Sequence, residues 1–484
     1  MALYEVERLR TLAPSSVRAL ADRLRAADIP TFAARLARSG RGLDDALRAP
    51  MRIWHARRAP AAAPIIVRLF MLHDPVAPVE ASRALGDLCP LRDAGIVEDC
   101  VDGLVSRVHL ALAGDVYCFG DPPCPDPDAV MPVGGATHDL VRAVLPGSVE
   151  AALDIGCGAG AVAVHLSRTV TRVVATDIHE RALSWARFNA TLNGAAAIDF
   201  RCGDLFEPVI GERFDRIAAH PPFVALANGE PHSHFVHGGL RGDELALRLI
   251  AGASEHLAAR GRLVVVADWP VAAGDSVDDR LRRRVGDRAV GLLILQSPPK
   301  NLDEYCVLHA AVECAALGPP FIRSALRKRD HHEQLGLSGV AFGIVVMEPS
   351  PAAWTSLVAV RHSSDAPVTA TEVDRLLAAH ALAHHGNMSQ ARLRLPPGAA
   401  LVEQPLPDGG APAVVVRLPA SRPEWPPVLD ASTARLVQLI AQAPTVGQAI
   451  AAATGAHERA NAVDGDRVIR AAREALLRGV LEPY

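Results

Sequence analysis

At 484 residues the chain is too long for one ordinary hydrophobic core, so two or three domains are expected. Half the residues are hydrophobic and the formal net charge is −4, which withholds the global basic footprint of a dedicated nucleic-acid binder. No cationic segment with an apolar core opens the chain and no apolar run reaches membrane-spanning length. Those absences set the expectation of a cytoplasmic protein with no membrane partner. The eight cysteines form no C-x-x-C pair, so zinc-ribbon and redox-motif readings fall away.

The first segment reads as helices. From Ser15 the apolar residues recur at helical spacing after a Pro-Ser start. A second helix is expected over 65–73 and a third over 80–94. Gly95-Ile-Val-Glu and the alternating run 104–112 then form a short hairpin, and helices followed by a hairpin resemble a winged-helix module. Arg clearly outnumbers Asp plus Glu across the first stretch, and the expected role of that excess is a solvated helical surface. Residues 120–132 carry repeated prolines, which remove backbone donors and fix φ, so a boundary is placed there.

From about residue 150 short apolar strands alternate with helices, at 151–155, 172–176, 216–219 and 262–267, with two further strands at 292–295 and 340–347. That alternation predicts parallel pairing in a doubly wound sheet. A Pro-rich zone near 349–351 follows. Beyond about 365 the pattern gives a helix over 371–383, a strand over 413–418, the loop 422–427 and three terminal helices. The expected division is 1–125, helical and winged-helix-like; 126–365, the sheet domain; and 366–484, an α+β accessory module.

The chemistry is written most clearly at Asp154-Ile-Gly156-Cys-Gly158-Ala-Gly160, where an apolar strand ends in alternating glycines and enters a helix. Glycine lets the backbone reach positive φ and approach a ligand with no Cβ in the way, and a helix N-terminus offers free N–H groups. Gly156-x-Gly158 followed by Ala161 also satisfies a dinucleotide fingerprint. Three acids separate the two readings. Asp154 stands where a carboxylate accepts from an amino group rather than facing a pyrophosphate. Asp177 closes the next strand and is placed for two ribose hydroxyls. Asp204 follows a third strand and is placed for an adenine amino group. Together they favour S-adenosylmethionine as cofactor over NAD.

Residues 150–270 resemble class I S-adenosylmethionine-dependent methyltransferases of the small methyltransferase group, which includes the ribosomal-RNA guanine and release-factor glutamine N-methyltransferases. The matching stretches are LDIGCGAG, VVATD, CGDLFEP, His220-Pro-Pro-Phe223 and Gly238-Gly-Leu-Arg-Gly-Asp243. The resemblance implies a Rossmann-like class I methyltransferase sheet and cofactor contacts from Asp154, Gly156, Gly158, Gly160, Asp177, Asp204 and Pro221. It also places His220 and Phe223 at the transferred methyl group. In that group the first position of the motif is Asn, whose amide pairs with a planar nitrogen. Histidine lacks the paired donor and acceptor, so a changed acceptor is expected, with His220 handling its proton and activity rising through an ionisation near neutrality.

His232, His234 and His237 follow on an expected substrate-covering loop, with no evident set of metal ligands. His331-His332 and His384-His385 are expected at the surface. The altered motif and the charge balance point first to a small-molecule or peptide acceptor in biosynthesis, with no strong nucleic-acid binding. N-methylation of an RNA base or a protein side chain, and a non-catalytic cofactor-binding regulator, stand as alternatives.

Overall fold

The computed structural model describes residues 3–484 except 39–44, 60, 123, 125, 131–132, 145–148, 196, 315–316, 362–366, 405–412, 420–421, 423–427 and 456–463. The expected boundary at 365, most of the loop 422–427 and four prolines or neighbours of the 120–132 stretch lie outside the described residues. An eight-stranded sheet organises the molecule. Its strands are β1 (Val149–Ile155), β2 (Val170–Asp177), β3 (Asp199–Cys202), β4 (Phe214–Ala219), β5 (Leu257–Ala272), β6 (Val290–Gln296), β7 (Leu337–Pro349) and β8 (Trp354–Ala359). They lie in the order β8-β6-β7-β5-β4-β1-β2-β3. All neighbours pair in parallel except β7, which runs antiparallel to both β5 and β6.

The side-chain period of two divides β1 between the two faces. Ala151, Leu153 and Ile155 enter the core on one side, while Ala152 enters the larger core on the other. Because β1, β2, β3 and β4 are parallel, the residues after each strand gather along one edge, where open α/β sheets bind their ligands. Helices α1 (Gly135–Ala143), α2 (Ala161–Leu166), α3 (Glu180–Asn193), α4 (Glu244–Ala253), α5 (Leu302–Glu313) and α6 (Pro319–Gln334) follow in chain order. The last two form a hairpin inserted between β6 and β7.

The N-terminal residues fold as the helical, winged-helix-like module that the pattern suggests. Helix Pro14–Ala26 buries Val17, Leu20, Ala21 and Leu24, one stripe at helical spacing. Two expectations change in detail. The helix expected over 80–94 is two, Pro78–Leu85 and Cys89–Asp93, because Gly86 leaves the helix with φ 86°. The run 104–112 contributes to two hairpins, Val97–Cys100 with Gly103–Ser106 and His109–Ala113 with Val116–Gly120. The core of this module is continuous with one face of the sheet, running from Tyr4 to Leu377. A separate core from Ala379 to Leu481 holds the C-terminal α+β module, built on a small antiparallel sheet and the helices Ala431–Gln442, Val446–Gly455 and Gly465–Leu477. Among the described residues no helix is long and apolar enough to cross a membrane.

Two asparagines one turn apart on α3 join the module to the sheet. Asn189 accepts from Phe119 N at 2.8 Å and donates to Phe119 O at 2.7 Å, while also donating to Ala159 O at 2.9 Å. Asn193 repeats the pairing with Tyr117, accepting at 3.0 Å and donating at 2.7 Å. The amides thus stand in for a neighbouring strand along the hairpin edge. Asn189 is fully buried, so its partners have no water to turn to. Replacing it with Leu strips partners from three backbone groups and should cost about 3 kcal/mol or more in chemical denaturation, an effect an exposed asparagine would not produce.

Candidate active site

The convergent strand ends open on a cavity of 740 Å³. It is lined by Asp154, Gly156, Gly158, Asp177, Asp204, His220, Pro221, Phe223, His232, His234 and His237, which the fold therefore brings together. Gly160 is not among the lining residues. Its φ is +83° and an added Cβ would stand 2.9 Å from Cβ of Ala186 on α3, so this glycine serves helix packing and not ligand contact. Gly156 and Gly158, with φ of +67° and +51°, would each place a Cβ in open space. They shape the cradle.

The acids divide the remaining work. Asp154 accepts from Ala163 N at 2.8 Å, fastening the end of β1 to α2, and burial pushes its carboxyl up to about 7. Asp177 accepts from Gly158 N and from His179 N, both at 2.9 Å, and burial raises it as well. A carboxylate has lone pairs beyond two such bonds, so Asp177 braces the glycine turn and still faces the cavity. Asp204 stands at the mouth, half-exposed, with Arg248 at 2.9 Å. The Oγ1 of Thr176 is buried in the lining with no partner among the described residues. Leu205 beside Asp204 has φ 46°, a strained setting of the kind found at ligand sites.

At the far end β4 delivers His220-Pro221-Pro222-Phe223. The glycine segment behind it is required by close approach. A Cβ on Gly238 would meet Pro222 O at 2.3 Å, and one on Gly242 would meet Phe223 O at 2.4 Å. Thr137 Oγ1 on α1 lies 3.4 Å from Nδ1 of His220, and the His220 and Phe223 rings are 5.6 Å apart. Burial pushes the His220 imidazole down to about 4. The expected ionisation near neutrality is thereby corrected: the ring is already neutral there, because its enclosed setting penalises the charged form.

The histidines that follow differ from one another. His232 and His234 are exposed at the rim, with their rings 4.5 Å apart. His237 instead belongs to the short strand His237–Gly239, paired with Val224–Ala225, and is buried. Its Nδ1 accepts from Ser233 N at 3.0 Å and its Nε2 is 3.5 Å from Glu230, whose carboxylate also pairs with the buried Lys328 of α6. A mobile covering loop is therefore the wrong description of this residue. His331 and His332 are also buried rather than at the surface, with ring nitrogens at 2.7 Å from Leu240 O and 2.6 Å from Lys328 O. His384 and His385 are exposed. Thr137, His179, Arg248 and His309 join the lining with no motif to announce them. Only His179, two residues after Asp177, had a nearby sequence signal.

The sheet and this cavity define a class I methyltransferase module with an S-adenosylmethionine site. A family model described as the methyltransferase small domain matches residues 134–286, and that part of the chain belongs to this family. The release factor glutamine methyltransferase of Xylella fastidiosa (strain Temecula1) is 37% identical over 131 residues, covering 25% of this chain and 47% of its own length. The ribosomal RNA small subunit methyltransferase C of Klebsiella pneumoniae is 34% identical over 132 residues, covering 27% of this chain and 34% of its own. A solved ribosomal protein L11 methylase from Lactobacillus delbrueckii subsp. bulgaricus is 25% identical, with a TM-score of 0.21, covering 28% of this chain and 58% of that one. The chain thus spans about half, or less, of the length of these curated relatives.

Those relatives overturn one expectation. They are named for a release factor and for ribosomal RNA, and a further one from Bordetella pertussis for a glutamine of ribosomal protein uL3. A small-molecule or peptide acceptor without nucleic-acid binding conflicts with that company. The charge and the altered motif misled because net charge averages over 484 residues and says little about one face.

The two glycine roles make a paired test. Gly158→Ala should cost about 1 kcal/mol of stability and weaken S-adenosylmethionine binding at least tenfold by calorimetry. Gly160→Val should instead lower stability by about 2–4 kcal/mol through overpacking against Ala186.

Proposed function

We propose that this chain is an S-adenosylmethionine-dependent N-methyltransferase whose acceptor is a side-chain amide of a protein of the translation machinery. The observation that carries the reading is the junction of two motifs on one cavity: the acid-braced glycine turn and the Pro-Pro-Phe turn after β4. The names of the relatives support the acceptor class. When bound, the cofactor supplies an electrophilic methyl group. Asp154 would take its amino group, Asp177 its ribose hydroxyls and Asp204 its adenine, while Gly156 and Gly158 admit it. The cradle fits such a ligand, since two buried carboxylates face a space that Cβ atoms would otherwise fill, beside an orphaned hydroxyl.

An amide nitrogen is a poor nucleophile because its lone pair is delocalised into the carbonyl. Hydrogen bonds accepted from its N–H groups counter that delocalisation. The neutral ring of His220 and the carbonyl of Pro221 are the groups placed for this, with Phe223 alongside. Positioning and desolvation supply most of the acceleration. The division 1–125, 126–365 and 366–484 belongs to this proposal, with the flanking modules framing the acceptor. Val130 and residues 134–137, just after the proline stretch, already line the cavity.

Incubation of the full chain with methyl-labelled S-adenosylmethionine and separated release factors, ribosomal proteins and ribosomal RNA tests the reading. Label in a protein glutamine is the expected result. Label in RNA alone would transfer the assignment to base methylation. The pH profile is a separate check. A free imidazole at His220 is lost only as pH falls towards about 4, so turnover should vary less than twofold between pH 6 and 8. A rise of tenfold across that range would show an ionising base instead.

A further inference from the structure

The helical hairpin of α5 and α6 has no place in the cofactor site, yet one of its side chains reaches the same cavity. Asn301 caps α5 by accepting from Glu304 N at 2.8 Å, which fixes where the helix starts. Tyr305 and His309, four residues apart, then share one face, with rings 4.3 Å apart. His309 lines the cavity and stands edge-on to Phe223, with ring centroids 6.4 Å apart and planes at 84°. Behind it, Nε2 is 4.0 Å from Oδ2 of Asp268 on β5, and Asp268 is hydrogen-bonded to Tyr305. The ring nitrogens of His331 and His332 are spent on backbone carbonyls; among the described residues no carbonyl takes those of His309.

We propose that His309 is a second acceptor-contacting catalytic residue, working with His220 across Phe223, and that Asp268 and Tyr305 are its positioning residues. The inference rests on the amide-acceptor reading for its substrate class. The reason is a count of hydrogen-bonding groups. A primary amide presents two N–H donors, and a neutral imidazole has one acceptor lone pair, so His220 by itself serves one of them. His309 turns one ring nitrogen towards Asp268 and leaves the other for the second N–H.

The same ring receives the proton. As the new N–C bond forms, the methyl carbon–sulfur bond breaks and its electron pair stays on sulfur. The nitrogen then carries one proton too many, and that proton passes to His309. The resulting imidazolium faces the Asp268 carboxylate, which offsets the repulsion of Lys300 and Lys328; Glu230 adds to the favourable side, and His332 stays neutral. Burial pushes His309 down to about 3 and Asp268 up to about 6 in the resting site, so neither group has a reason to hold the proton once the product leaves.

The test compares wild type with His309→Phe, a variant that keeps a ring against Tyr305 and Phe223. Turnover should fall at least a hundredfold, while calorimetric affinity for the demethylated cofactor changes less than threefold. Calorimetry with a glutamine peptide of the labelled protein, in the presence of that demethylated cofactor, should show at least tenfold weaker binding. Adding His220→Asn to His309→Phe should recover at least tenfold in turnover, because one amide offers the paired contacts that the two imidazoles share. A merely structural His309 would give no such rescue. Full turnover in His309→Phe, or no rescue by Asn, overturns the inference. If wild type labels RNA or a small molecule instead, the amide reading fails, and the same variant comparison on that acceptor still decides His309. A wild-type chain that methylates none of them overturns both.

Discussion

The side chain of Asn189 is the constraint on which the other contacts depend. It meets three backbone groups at once, two on the hairpin strand Val116–Gly120 and one in the glycine turn. A turn built from glycines is intrinsically loose, since glycine loses more conformational freedom on ordering than any other residue. Asn189 and Asp177 restrain it from opposite sides, through Ala159 O and Gly158 N. The N-terminal module is therefore coupled to the shape of the cofactor cradle. Arg181 on the same helix strengthens the joint by pairing with the buried Asp121 and donating to Tyr4 O at 2.9 Å.

The electrostatics of the cavity follow from burial. Desolvation raises Asp154 and Asp177, lowers His220 and lowers His309, so the imidazoles are neutral and the fixed charge that remains is negative. Holding two carboxylates in such a place is costly without a positive partner. A cationic ligand relieves that cost, and a sulfonium with an amino group suits it better than a pyrophosphate does. At the acceptor end the absence of charge matters equally, because neutral nitrogens accept hydrogen bonds that protonated ones cannot.

The acceptor end is also held from outside the methyltransferase fold proper. The buried Glu230–Lys328 pair and the contact of His331 with Leu240 O tie α6 to the segment that follows Pro-Pro-Phe. Buried ion pairs contribute little net stability but demand their partners, since leaving one charge alone is expensive. The hairpin inserted between β6 and β7 is thus bound to the acceptor loop rather than laid on it.

Local pattern was enough for much of this. The period-two strands, the glycine turn, the strand-end acids and His-Pro-Pro-Phe are short-range features, readable because each needs particular residues at fixed spacing. The Asp154, Asp177 and Asp204 positions converge simply because parallel strands end on one edge. What spacing could not reveal were partners far apart in the chain. Asn189 looks like an ordinary helical residue until Phe119 and Ala159 come beside it. His331 and His332 look like surface histidines until the hairpin folds under them. Gly160 reads as one more cofactor glycine until Ala186 fills the space above it. The sequence by itself determined the sheet, its turn and the chemistry of the strand ends, because these follow from local periodicity and backbone freedom. Only the tertiary structure decided which groups are buried, and burial sets protonation and hydrogen-bond supply, which is why the roles of His220, His237 and His309 emerged there.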